Sequence, residues 1–75
     1  MVPSKFLVAG YSFEQICELS TKIPRNRQEC IEMIRAIDRI EKAFNAMEDD
    51  CVKCFFAESV NFAIYARDGF LSKEF

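Results

Sequence analysis

The clearest hydrophobic pattern in the chain lies in its middle. Cys30, Met33, Ile34, Ile37, Ile40, Phe44 and Met47 recur at helical steps, the apolar stripe of a helix packed along one side. Glu29, Glu32, Arg35, Arg39, Glu41 and Lys42 cover the other side. The spacing predicts a helix from about Arg27 to Met47, with Asn26 and Glu29 at capping-box separation before it. Ser12 and Gln15 have the same separation, so a shorter helix is predicted from Phe13 to Thr21, with Phe13, Ile16 and Cys17 on one face. Ile23-Pro24 ends that helix, because proline disfavours helical geometry in the residue before it. A third helix is predicted from Cys51 to Arg67, capped by Asp49 or Asp50 and stopped by Gly69.

This third segment differs from the second. Val52, Phe55, Phe56, Val60, Ala63, Ile64 and Ala66 cover more than one stripe. A helix apolar on several sides is either central or shared between subunits. Asn61 sits in its middle, and an amide buried there needs a partner, since leaving it unbonded costs about 1–3 kcal/mol. Residues 1–11, with Pro3 and Gly10, show no period and read as a loose arm. Residues 70–75 read as an apolar tail carrying Phe70, Leu71 and Phe75. No segment carries a strand signal. The expected architecture is all-α: one domain over residues 1–75, with a short helix over 12–22 and an antiparallel two-helix hairpin over 26–69.

Composition changes this picture in one respect. The chain has 75 residues, of which 51% are hydrophobic, including eight Phe. A chain this short buries only about 60% of its unfolded surface. The apolar content therefore exceeds what one small monomer hides, and a homo-oligomer is expected. The net charge of −2 argues against DNA as a partner. No apolar run approaches the roughly 20 residues that span a bilayer, so no membrane segment is expected and a cytoplasmic setting is the default. Four cysteines are then expected to be reduced.

Candidate chemistry narrows the function classes further. The chain contains no His, which excludes Ser-His and Cys-His catalysis and His-ligated metal sites. It has no glycine-rich phosphate loop. Cys51 and Cys54 form C-x-x-C, and Cys17 and Cys30 complete four thiols. "CVKC" lacks the turn residues of a zinc knuckle and falls where a helix starts, so these cysteines are assigned to apolar helical slots and no metal or cofactor is expected. A non-catalytic binding protein is favoured over an enzyme. Its strongest candidate site is cationic. Lys22, Arg25 and Arg27 surround the first interhelical loop with no acid between them, and Arg35 and Arg39 follow on one face of the second helix. Arginine forks a phosphate with paired hydrogen bonds, and the start of the second helix presents free amides. The alternative is a solvated face in which these residues pair with Glu32, Asp38 and Glu41.

The stretch "AESVNFAIYARDG", residues 57–69, resembles the closing motif of small phage proteins that counter CBASS immunity by sequestering its cyclic-nucleotide signals. The matching positions are Ala57, Asn61, Ala63, Ile64 and Ala66. "SFEQICEL", the proline break and "MIRAIDRIEKAF" resemble the same family upstream, so the likeness covers roughly residues 12–70. It departs at Phe62, where the family has a small residue, and at Lys22-Ile23, where it has an aromatic. The resemblance implies a helical hairpin assembled as a homohexamer. It also implies pockets between subunits that hold cyclic di- or trinucleotides without cleaving them, in the cytoplasm of an infected cell. It places Arg35 at a phosphate or base, and Ser59 and Asn61 at a second, cyclic-trinucleotide site. The rival expectation is a helical interaction module, an inhibitor or antitoxin, that docks a protein through Phe70, Leu71 and Phe75.

Overall fold

The computed structural model describes residues 7–73. Among them are three helices and no named strand: α1 (Phe13–Thr21), α2 (Arg27–Asn45) and α3 (Asp50–Leu71). Each begins where side-chain chemistry can satisfy the orphan amides of a first turn. Ser12 and Gln15 close a full capping box on α1. Asn26 Oδ1 accepts the Glu29 amide at 2.8 Å. Asp49 Oδ1 accepts the amides of Cys51 and Val52.

α3 is the shared element, packing against both α1 and α2. The start of α2 meets the end of α3, where the Cys30 thiol donates to the Phe70 carbonyl at 3.6 Å. Val8, Ile16, Ile37, Ile40, Phe56 and Val60 are fully buried, so the core draws on all three helices and on the segment before α1. Burial of a side chain such as Phe56 contributes roughly 1.5–3 kcal/mol. Phe13, Phe55 and Phe56 form an aromatic cluster, with the Phe13 and Phe55 rings 5.0 Å apart and Phe55 edge-on to Phe56 at 5.3 Å.

Five expectations need correction. The segment before α1 is not loose throughout. Val8 and Tyr11 exchange two backbone hydrogen bonds of 2.9 Å across Ala9 and Gly10, both at positive φ, and this turn delivers Val8 to the core. Pro3 lies outside the described residues. α2 stops at Asn45 rather than Met47, with Ala46 as its cap. Gly69 does not stop α3: Phe70 packs against the core cluster, and that contact carries the helix on to Leu71. Only half of the second capping box forms. Glu29 turns toward Lys22 Nζ at 3.7 Å, with Oε1 shielded from water and accepting no hydrogen bond. Finally, Asn61 is exposed rather than buried. The face of α3 that enters the core runs through Val52, Phe56, Ser59, Val60 and Ala63, and Asn61 lies on the opposite side.

Candidate functional site

The five loop and α2 cations do not form one cluster. Lys22 is drawn to Glu29. Arg25 is exposed on the α1–α2 loop. Arg27 lines a groove with Cys30, Ile31, Ile34, Phe70, Leu71 and Lys73. Arg35 and Arg39 lie about 12 and 18 Å further along the α2 axis, in an open hollow completed by Glu32 and Asp38. This second hollow faces away from the α2 residues that enter the core, namely Cys30, Met33, Ala36, Ile37 and Ile40.

The ion pairs that the alternative, solvated-face reading gives Arg35 and Arg39 are not made among the described residues. Arg67, near the end of α3, takes Asp38 and Glu41 instead. Its Nη1 donates to Asp38 Oδ1 at 2.6 Å and to Glu41 Oε1 at 3.0 Å, and its Nη2 donates to Glu41 Oε2 at 3.5 Å. The Arg67 side chain is only 15% exposed. Its pKa is raised above the ordinary arginine value, first by the hydrogen bond to Glu41, against an opposing effect of burial and with further support from Asp38. Glu32 accepts a hydrogen bond from the Gln28 amide at 3.2 Å. Among the described residues Arg25, Arg27, Arg35 and Arg39 make no ion pair. The role of Arg67 was not read from the sequence. The available signal was Asp38 and Glu41 one turn apart on α2, with a lone arginine in the second half of α3.

Ser59 and Asn61, two positions apart, are separated by the helix itself. Ser59 is buried and its hydroxyl donates to the Phe56 carbonyl at 3.0 Å, so it serves the core. Asn61 belongs to an outward face with Phe55, Phe62 and Tyr65, whose exposures are 42%, 55% and 80%. With Phe13 alongside Phe55, these rings leave roughly 400 Å² of aromatic surface in water, within the range that monomers expose as their largest patch. Cys51, Phe55, Glu58, Phe62, Tyr65 and Gly69 follow one another at alternating steps of four and three, the rhythm by which one helix meets another along a seam. That spacing was visible in the sequence but was masked by the second apolar stripe on the same helix.

The four cysteines are dispersed. Cys30 is buried at the α2–α3 end and Cys17 is half-buried on α1, but Cys51 and Cys54 are exposed at the start of α3 and do not occupy the apolar slots expected of them. No group of three or more metal-ligating side chains gathers among the described residues, and no helix among them is long and apolar enough to cross a membrane. Leu71 is exposed and Phe70 half-buried, while Phe75, the third anchor of the rival docking tail, lies outside the described residues. No protein-family model, curated protein or solved structure matches the chain.

Proposed function

We propose that this protein is a non-catalytic sponge for cyclic oligonucleotides: an all-α homo-oligomer built from antiparallel helical hairpins, which binds cyclic di- or trinucleotides between copies and thereby silences CBASS signalling. The observation that carries this proposal is the outward face of α2, where among the described residues Arg35 and Arg39 make no ion pair while Arg67 holds Asp38 and Glu41. An unpaired arginine couple, four residues apart on a rigid helix, suits the forked hydrogen bonding of phosphate oxygens.

The other half of such a site is supported by α3. Tyr65 and Phe62 offer exposed rings on which bases stack, and Asn61 beside them offers an amide that can read a base edge. These groups point away from the core on α3, and Arg35 and Arg39 point away from it on α2. One chain cannot bring the two faces to a single ligand, but two chains can. The aromatic face of α3 provides the apolar contact such an assembly needs. Its roughly 400 Å² is about half of the ~800 Å² per partner in a stable interface. A nanomolar sponge requires about 12 kcal/mol. Base stacking of roughly 1–3 kcal/mol each and charge-assisted hydrogen bonds of about 1.5–3 kcal/mol each reach that total only when both faces contribute.

A thermal-shift panel of cyclic nucleotides tests this directly, because a ligand at 100 times its dissociation constant stabilises the fold by about 2.7 kcal/mol. Cyclic GMP–AMP is expected to raise the midpoint and to be recovered intact after heat denaturation of the complex. Absence of any shift, or recovery of a hydrolysed product, rejects the sponge. The second function is a protein-interaction module, favoured by the same exposed Phe55, Phe62 and Tyr65. It predicts a stoichiometric complex with a protein and no nucleotide affinity.

A further inference from the structure

The groove beside Arg27 has a different chemistry from the Arg35 hollow. It is an open surface groove of about 560 Å³. Among the described residues it is lined by Cys30, Ile31, Ile34, Phe70 and Leu71 and by the cations Arg27 and Lys73, of which Lys73 has its own partner. The Arg35 hollow, by contrast, sets two acids beside its two arginines. The Cys30 thiol already donates to Phe70, so the floor offers no free side-chain donor or acceptor. A nucleotide placed there would lose water from its base edges and hydroxyls with nothing to replace it. An alkyl body loses nothing. At the lip, Arg27 makes no ion pair among the described residues. It is also the first residue of α2, where the positive end of that helix meets the negative end of α3, so the charge at the lip is that of the guanidinium itself. Leu71 on the floor is 63% exposed and Ile31 is exposed as well.

From this combination we infer that the groove between the start of α2 and the end of α3 is a binding site for a monoanion with an apolar body, specifically a free medium-chain alkyl carboxylate. The carboxylate is forked by Arg27, and the chain lies along Ile31, Ile34, Phe70 and Leu71. The site is independent of the cyclic-oligonucleotide proposal and uses one chain.

Titration of the full chain with hexanoate, octanoate and decanoate below their micellar concentrations, followed by amide chemical-shift mapping, tests it. Affinity is expected to rise roughly two- to fourfold per added methylene until the groove is filled. Shifts are expected over residues 27–34 and 70–73. Methyl decanoate is expected to bind about tenfold more weakly, and Arg27→Gln to weaken decanoate by a similar factor. Arg27 is exposed and first in its helix, so the variant keeps the fold. Equal binding of acid and ester, indifference to chain length, shifts centred on Arg35 and Arg39, or no binding by about 1 mM decanoate each overturns the assignment. A parallel titration with cyclic GMP–AMP separates the two sites, since its shifts are expected on the Arg35 and Asn61 faces.

Discussion

α2 and α3 have similar lengths and pack against each other, yet they divide their surfaces differently. α2 is amphipathic apart from Ile31 in its first turns: one apolar face enters the core, and the other carries Gln28, Glu32, Arg35, Arg39 and Lys42 into water. α3 buries Val52, Phe56, Val60 and Ala63 and still shows Phe55, Phe62 and Tyr65 to solvent. A helix with one dry face is complete inside a monomer. A helix with a second apolar face calls for another partner. Under the proposed function, α2 would supply the polar chemistry of ligand capture and α3 the apolar contact of assembly.

The most severe way to break the comparison is to remove the side of α3 that serves the monomer. Phe56 is fully buried and joins α1 to α3 through its contact with Phe13. Phe56→Ala is expected to cost about 3–5 kcal/mol. That is comparable to all the stability a core of this size supplies, so circular dichroism should show no cooperative thermal transition. A variant that melts cooperatively near the parent temperature would show that the α1–α3 contact is dispensable.

The opposite side of α3 should behave in the other way. Phe62→Glu with Tyr65→Glu leaves the core untouched and keeps good helix formers on the exposed face. Helicity should persist while association weakens by at least 2 kcal/mol for each lost anchor, so sedimentation should report the 8.7 kDa single chain. If the parent protein already sediments as a single chain, the second face of α3 is not a self-association surface. On α2, Arg35→Ala is expected to lower cyclic GMP–AMP affinity at least tenfold, about 1.4 kcal/mol, with no change in the sedimenting species. Calorimetry that finds unchanged affinity removes Arg35 from the site.

Arg67 tests the division more gently, because it links the two helices. Arg67→Met keeps much of the packed stem and removes the charge. The acids it leaves are substantially solvated, with Asp38 50% exposed, so the expected loss in a urea titration is about 1 kcal/mol. The released Asp38 and Glu41 also become available to Arg35 and Arg39, so ligand affinity should fall as well. A stability loss without any affinity loss would mean that Arg67 does not protect the cationic face.

Much of the backbone was legible in the sequence. Ser12, Asn26 and Asp49 all mark true helix starts, because capping is local chemistry between residues two or three apart. Helix ends were less legible. Phe70 extends α3 through a contact with the distant core, and no local signal announces it. The candidate site was legible as residue types and not as geometry. The exposure of Asn61 and the burial of Ser59 depend on which of two apolar stripes on α3 meets α1 and α2. The pairing of Arg67 with Asp38 and Glu41 spans 26 or more positions. The sequence nevertheless placed an arginine pair on the wet side of α2, where Arg35 and Arg39 lie.

The smallest expected effect concerns the segment whose order the sequence did not disclose. Ala9 and Gly10 both adopt positive φ, at 54° and 83°, between residues that exchange both backbone hydrogen bonds. Positive φ at both central positions is the geometry of a type I′ turn, which favours Asn-Gly. Alanine is strained there by about 1 kcal/mol, whereas asparagine tolerates the conformation. Ala9→Asn is therefore expected to stabilise the protein by several tenths of a kcal/mol, raising the thermal midpoint by a few degrees in a domain of this size. Gly10→Ala should do the reverse by a similar amount. No atom lies within 4 Å of the added Cβ, so its cost is purely one of backbone conformation. Opposite signs at adjacent positions are the signature of a turn held with positive φ at both residues: if both variants melt with the parent, that backbone conformation does not limit stability, and the burial of Val8 does not depend on it.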